Sequence, residues 1–185
     1  SGIVLGQSEA LPSKVRVGVD VIGLNKTLFD SEIDQYEIQV DLDVGKFYLS
    51  TDFGRANINR QDELYQAKGN YGRIGFDYNF IHQDKKDNVL FVGLRHGRSQ
   101  YSDQLSFNKT DDFYGDINIL SGNDNLQARW NEIVAGMKVR MFEGLFLGYT
   151  LRYQFGLKIK GEEGLTSYES PGFGITEDGF SFGIS

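Results

Sequence analysis

The chain offers few side chains that could serve as a nucleophile or a general base. It contains two histidines, His82 and His96, and no cysteine. Ser99 follows His96 by three residues, and a lipid hydrolase would need such a nucleophile beside its base. On a β-strand, residues three apart point to opposite faces, so this pair does not converge. We therefore predict a non-catalytic protein, with a lipid hydrolase as the alternative and His82 as a solvated turn residue.

A second group of candidate residues is acidic. Calcium prefers carboxylate and carbonyl oxygens, and five aspartates crowd one polar segment, Asp103, Asp111, Asp112, Asp116 and Asp124. Their spacing does not match the EF-hand pattern, so a solvated acidic loop is the simpler interpretation. The sequence predicts no catalytic residue, no metal site and no cofactor.

The remaining charges alternate with apolar residues along short segments, most clearly from Tyr36 to Asp43. Side chains on a strand alternate between faces, so each segment is predicted to be a strand with one apolar and one charged face. Charges enclosed by a barrel need partners. We predict a lumen charge network formed by Arg16, Asp20, Glu37, Asp41, Asp52, Arg73, Asp77, Arg95, Glu132, Lys138, Arg140 and Arg152.

The elements that would position these charges are eight predicted strands, over residues 14–23, 34–43, 47–56, 71–80, 89–101, 130–141, 145–160 and 179–185. Short turns and long polar loops alternate between the strands, and the longest loop is Ser102–Arg129. This asymmetry is typical of outer-membrane barrels. The prediction is an all-β, antiparallel up-and-down eight-stranded transmembrane β-barrel of the outer-membrane type. A tail over 1–13 precedes the barrel domain, 14–185, whose last strand is short or truncated.

Alternation alone does not say which face points outward. A soluble lipocalin-like carrier would bury the apolar face, whereas a membrane barrel exposes it. Mixed charges among glycines on the polar face favour the membrane barrel, as does a predicted girdle of aromatic residues near strand ends, Tyr36, Phe47, Phe80, Phe91, Tyr153 and Phe155. No run of about 20 apolar residues is present, so no transmembrane helix is predicted.

Several segments resemble a known family as a set, namely Val15–Asp20, Ile74–Asn79, Leu90–Arg95, Leu145–Arg152 and Pro171–Phe173. They resemble an uncharacterised family of small eight-stranded outer-membrane β-barrel proteins of Bacteroidota. The resemblance implies a barrel in the outer membrane, and it carries over no catalytic residues.

The longest predicted loop also carries large apolar side chains, which favour contact with the barrel or with a partner. We predict a partner-contact loop formed by Phe107, Phe113, Tyr114, Ile117, Ile119 and Leu120. An eight-stranded barrel filled by side chains conducts poorly. The predicted function is therefore that of a structural or accessory subunit of a larger outer-membrane complex, such as protein assembly, insertion or secretion machinery. A stand-alone lipid-modifying barrel enzyme, a surface adhesin and a soluble lipocalin-like carrier are the alternatives.

The expected partners are membrane lipids and other outer-membrane proteins or lipoproteins. The net charge of −7 argues against nucleic acid. The expected location is the bacterial outer membrane, with long loops extracellular and termini periplasmic.

Overall fold

The computed structural model describes residues 14–19, 33–60, 64–81, 87–111, 115–143, 145–163, 165–176 and 179–184. Within these ranges, the backbone alone is described at 33, 107–111, 115–119 and 179–184. The predicted tail over 1–13 lies outside the described residues. No helix in the described ranges has the length and apolar character needed to cross a membrane.

The described chain is all-β. Its strands are β1 Lys14–Val19, β2 Ile33–Val44, β3 Phe47–Arg60, β4 Tyr65–Asn79, β5 Val89–Asp111, β6 Gly115–Phe142, β7 Leu145–Lys160, β8 Glu169–Ser170, β9 Gly174–Ile175 and β10 Gly179–Ile184. One eight-stranded sheet has the order β1-β2-β3-β4-β5-β6-β7-β10, and every neighbouring pair is antiparallel. The prediction of an all-β, antiparallel up-and-down sheet is confirmed.

Strands β1 and β10 are the two ends of this order, and no pairing joins them among the described residues. The sheet is therefore not closed into a barrel within that part of the chain. The sheet is nevertheless strongly curved. This is shown by inward side chains of β2 that contact those of β6 and β7. Lys138 bonds Asp41, and Arg152 donates to Glu37 at 3.3 Å. A cavity of about 830 Å³ separates the edge of β1 from the beginning of β7.

A tight turn at one end of the sheet shows why the short connections form. Gly45 adopts φ +77°, a left-handed conformation that favours glycine. Its backbone N–H donates to Asp43 Oδ1 at 2.9 Å. This turn joins β2 to β3 and lies at the same end as the β4–β5 and β6–β7 connections.

At the opposite end the strands run further than the sequence predicts. The prediction of a loop over Ser102–Arg129 is wrong, because its described residues belong to the ends of β5 and β6. These strand ends pair with each other from Asp103 opposite Asn123 to Asp111 opposite Gly115. Strand β4 pairs with β5 only as far as Leu105, and β7 pairs with β6 only from Gln127. Within 107–119, which we call the distal hairpin, the described residues therefore pair only with one another.

The half of the sheet near the short turns exposes its apolar face. Phe76 and Leu94 are 66% and 65% exposed. On β6 the apolar outward face runs over the nine residues from Ile133 to Met141, close to the length of a membrane-spanning strand. We name these outward residues the apolar belt: Val15, Val17, Ile38, Phe47, Phe53, Ile74, Phe76, Leu90, Leu94, Ile133, Met137, Met141, Leu145 and Leu147.

The other half of the sheet has the reverse polarity. On β3 the outward residues change from Phe53 to Arg55, while the inward ones change from Asp52 to Ala56. The interior there is an apolar core that comprises Ala56, Ile58, Tyr65, Ala67, Tyr71, Tyr101, Leu126, Ala128, Trp130 and Phe173. We call this the upper half, and the half with the apolar belt the lower half.

Two sequence-based assignments of direction are wrong. Phe91, predicted in the outer girdle, is 2% exposed and packs inside the lower half against Tyr48 and Val134. Phe91 and Arg95 are four residues apart on β5, so their side chains lie on the same face of the strand, and this face points inward. The period-two alternation that the sequence predicts for every strand also fails on β7, because the register with β6 shifts between Arg129 and Asn131, where Gly156 has φ +69°. After this bulge, the even-numbered residues of β7 point outward and the odd-numbered ones point inward, the reverse of the order before it.

Candidate functional site

The lower half encloses a network of ion pairs, and Arg95 is at its centre. Its Nη1 donates to Asp52 Oδ2 at 2.8 Å, and its Nη2 donates to Asp77 Oδ2 at 2.7 Å. The side chains of Arg95 and Asp52 are wholly shielded from solvent. The cation on β5 thereby ties together carboxylates from β3 and β4, the two preceding strands.

A second arginine links strands that are not neighbours. Arg73 of β4 donates from Nη1 to Glu37 Oε2 at 2.7 Å and from Nε to Glu132 Oε1 at 2.9 Å. Glu37 lies on β2 and Glu132 on β6, so these bonds cross the interior. Arg152 of β7 donates to the other oxygen of Glu37. An Asp52 oxygen 3.7 Å from Arg73 connects this group to that of Arg95.

The network continues toward the short turns. Lys138 pairs with Asp41, and the Ser50 hydroxyl donates to the same carboxylate at 2.7 Å. The guanidinium of Arg16 lies 5.0 Å from the ring centres of both Tyr48 and Phe146. Five carboxylates thus face four buried cations and the half-buried Arg16. The charges balance, as enclosed ions must.

Nine of the twelve residues predicted for the lumen network are buried there, namely Glu37, Asp41, Asp52, Arg73, Asp77, Arg95, Glu132, Lys138 and Arg152. Arg16 is half-buried. Arg140 lies at the rim, where its Nη1 donates to Asp87 at 3.2 Å. Asp20 lies outside the described residues.

The interior also contains a segment that the sequence did not assign to it. The described residues of segment 161–176, which we call the inner plug, fold into the upper half and include the short hairpin of β8 and β9. The carbonyl oxygen of Gly172 accepts bonds from Arg73 Nη2 at 2.7 Å and from Gln154 Nε2 at 3.0 Å. The plug therefore rests directly on the charge network. Its residues were predicted as a polar loop.

Aromatic residues hold the plug from the sides. Phe173 packs edge-on against Trp130, with ring centres 5.8 Å apart. The Tyr65 hydroxyl lies 3.1 Å from Asp103 Oδ2 and 3.0 Å from the carbonyl oxygen of Glu169. Burial raises the pKa of the Tyr65 phenol above its usual range, so the phenol stays protonated and can donate. The signal that could have identified the plug is Phe173 beside Pro171 and Gly172, a large apolar residue next to a predicted turn.

The candidate catalytic pair is divided between the two faces of β5, as the sequence predicts. Ser99 is buried, and its Oγ lies 3.0 Å from Ser170 Oγ of the plug. His96 is exposed, and its Nδ1 lies 3.0 Å from Asn131 Oδ1.

The acidic residues of segment 102–129 are dispersed. Asp103 is buried inside and accepts a bond from Asn123 Nδ2 at 2.8 Å, whereas Asp124 is exposed. Asp111 and Asp116 lie in the distal hairpin, and Asp112 is outside the described residues. Across the described ranges, no group of three or more His, Cys, Asp or Glu is arranged to hold a metal ion.

The predicted partner-contact residues belong to strands rather than to a loop. Phe107 lies on β5, and Ile117, Ile119 and Leu120 lie on β6. Leu120 is 64% exposed. Phe113 and Tyr114 are outside the described residues.

Comparison with known proteins gives one family match. The family model described as "Domain of unknown function (DUF6048)" matches residues 10–185. No curated protein and no solved structure matches the chain.

Proposed function

The chain belongs to the DUF6048 family, and we propose that it is a small transmembrane β-barrel that acts by binding, as an accessory subunit of a larger outer-membrane complex. The observation that carries the membrane placement is the change of polarity along the sheet. The lower half exposes large apolar side chains and encloses charges, whereas the upper half does the opposite. Both arrangements are favourable if hydrocarbon surrounds the lower half and water surrounds the upper half.

Closure of the sheet follows from the same placement. Unpaired backbone N–H and C=O groups each cost several kcal/mol in hydrocarbon, so a membrane-embedded sheet has no free edge. We propose that the edges of β1 and β10 pair to complete an eight-stranded barrel. A lipocalin-like carrier would need an apolar interior and a charged outer face. The interior of the lower half is instead filled by Arg95 and its ion-pair partners.

Binding rather than catalysis or conduction is supported by the interior. The ion pairs and the inner plug occupy the space through which solutes would pass. His96 and Ser99 on opposite faces support a non-catalytic role over a lipid-modifying enzyme.

A partner surface is suggested by the distal hairpin. An isolated two-stranded ribbon is at best marginally stable in water. Here residues 107–119 extend beyond β4 and β7 with both edges unpaired in the described structure, and they include Phe107, Ile117 and Ile119. We propose that another outer-membrane protein or lipoprotein covers this ribbon, on the extracellular side.

The test is affinity purification from detergent-solubilised membranes of the native host. Ser106 and Leu120 are ladder partners, so an Asn-Gly turn can replace residues 107–119 and leave the sheet intact. We expect a stoichiometric set of membrane proteins with the wild type and with the control Lys46→Ser, which changes the turn at the opposite end. The hairpin deletion should lose this set. Isolation of the wild type alone would contradict the subunit role, and an unchanged set with the deletion would contradict the hairpin contact.

A further inference from the structure

Three cations stand side by side on the outer face of the sheet. Arg98 of β5 is the ladder partner of Arg129 of β6, which is the partner of Lys158 of β7. All three side chains are exposed. Adjacent strands are about 4.8 Å apart, so this cationic row spans about 10 Å. Lys160 is the next outward residue of β7.

Such a row is unfavourable by itself, because like charges directly opposite each other on a sheet destabilise it. No described carboxylate lies within ion-pairing distance of Arg98, Arg129 or Lys158. Arg98 Nη2 donates to the neutral Gln127 at 3.1 Å. The row therefore presents positive charge without an anion from the described residues.

The bulge at Gly156 places the third cation. Without the extra residue, the alternation of β7 would continue from Tyr149 and turn Lys158 inward. The bulge turns Leu157 toward the inner core instead, and Lys158 toward Arg129. A bulge re-aims side chains in this way. Lys158 therefore belongs to the row only because of this bulge.

The position of the row relative to the apolar belt favours one source of the anion. Leu94 of the apolar belt precedes Arg98 by four residues on β5, and Ile133 follows Arg129 by four residues on β6. The row lies just beyond the upper rim of the belt, where lipid headgroups would be. The chain as a whole is acidic, with net charge −7. Outward strand residues of the upper half nevertheless include Arg55, Lys68, Arg98, Arg129, Lys158 and Lys160 against Asp34 and Asp124.

We propose that the row of Arg98, Arg129 and Lys158 is a binding site for the phosphate monoester of an anionic membrane lipid headgroup. The inference rests on the proposed membrane placement. Guanidinium groups match phosphate oxygens in forked pairs, and the lysine adds a point charge. The bound phosphate offsets the repulsion along the row and anchors one side of the barrel at the membrane surface.

The experiment compares lipid retention by native mass spectrometry after reconstitution in phosphatidylcholine nanodiscs doped with bisphosphorylated lipid A. The variant Arg98→Gln/Arg129→Gln/Lys158→Gln removes the row. The control Lys46→Gln/Arg55→Gln/Lys68→Gln removes the same charge at other exposed positions. We expect the row variant to retain lipid A at least about tenfold more weakly, and the control to match the wild type. Dephosphorylated lipid A should not be retained by any of the proteins.

The other outcomes are distinguishable. Equal weakening of lipid A retention in both triple variants would indicate a general attraction between charges and overturn the site. Unchanged lipid A retention in the row variant would also overturn it. Displacement of the lipid by millimolar inorganic phosphate would assign the row to free phosphate instead. Failure of the wild type to enter undoped phosphatidylcholine nanodiscs would contradict the membrane placement and the lipid site with it. If the wild type enters undoped nanodiscs but the wild type and the row variant retain lipid A equally, the lipid site is contradicted and the membrane placement is not.

Discussion

At the scale of single residues, Arg95 shows how the charges of the lumen are neutralised. It is fully enclosed and donates to Asp52 and Asp77, each less than 3 Å away. A guanidinium has five donors in a fixed plane, so one side chain can bridge two carboxylates on different strands. Removal of this cation would leave two buried negative charges without their main partner.

We expect Arg95→Met to lower the free energy of unfolding by about 3–5 kcal/mol, the usual cost of breaking a buried ion pair. Urea titration in detergent micelles measures this. The triple variant Asp52→Asn/Arg95→Met/Asp77→Asn should recover most of the loss, because no uncompensated charge remains. Lys68→Met, on the outer face, should change stability by less than about 0.5 kcal/mol. Equal instability of the single and triple variants would contradict the ionic explanation.

The direction of these residues was predictable from sequence, and their partners were not. Period-two alternation places Asp52, Asp77 and Arg95 on one face of their strands. Ladder register and the curl of the sheet decide which charges meet. The bond from Arg152 to Glu37, 115 residues apart in the chain, depends on both.

At the scale of structural elements, the inner plug connects the two halves of the interior. Gly172 accepts bonds from the charge network below, and Phe173 packs against Trp130 in the apolar core above. The plug thus closes the interior at the level where its polarity changes.

Phe173→Ala should loosen this closure, and the chain supplies its own reporter because Trp130 is its only tryptophan. Trp130 is 0% exposed. Loss of the phenyl ring opens space beside the indole, so we expect a red-shifted emission and stronger quenching by acrylamide. Ile175→Ala, an exposed position in the same plug hairpin, should leave the spectrum unchanged. An unchanged spectrum for Phe173→Ala would show that the plug does not seal the indole.

The strands of the lower half were predictable because apolar and charged residues alternate there. The predicted bounds of β7, Leu145–Lys160, are those of the structure. The distal parts of β5 and β6 were misassigned as a loop, because their segment is rich in Asn, Asp, Gly and Ser, which favour turns. The reversal of faces after Gly156 was missed because a bulge leaves little trace in sequence beyond one glycine.

At the scale of the whole molecule, the change of polarity unites these features. The lower half holds its charges inside and its apolar belt outside, and the upper half is organised like a water-soluble protein. Sequence alternation could not reveal this, since an apolar and a polar face alternate in both halves. Burial shows that Phe53 and Arg55, which share one face of β3, both point outward, so the outward face changes there from apolar to charged.

The most direct test of this account uses the absence of cysteine from the chain. Single cysteines replace Phe76 on β4 and Leu94 on β5, in the belt, and Lys68 and Gln104 on the same two strands, in the upper half. Each is labelled with a nitroxide after reconstitution into lipid vesicles. We predict that the belt labels collide mainly with oxygen, which concentrates in hydrocarbon, and the upper labels with a water-soluble nickel chelate. Belt labels as accessible to the chelate as the upper labels would contradict the membrane placement.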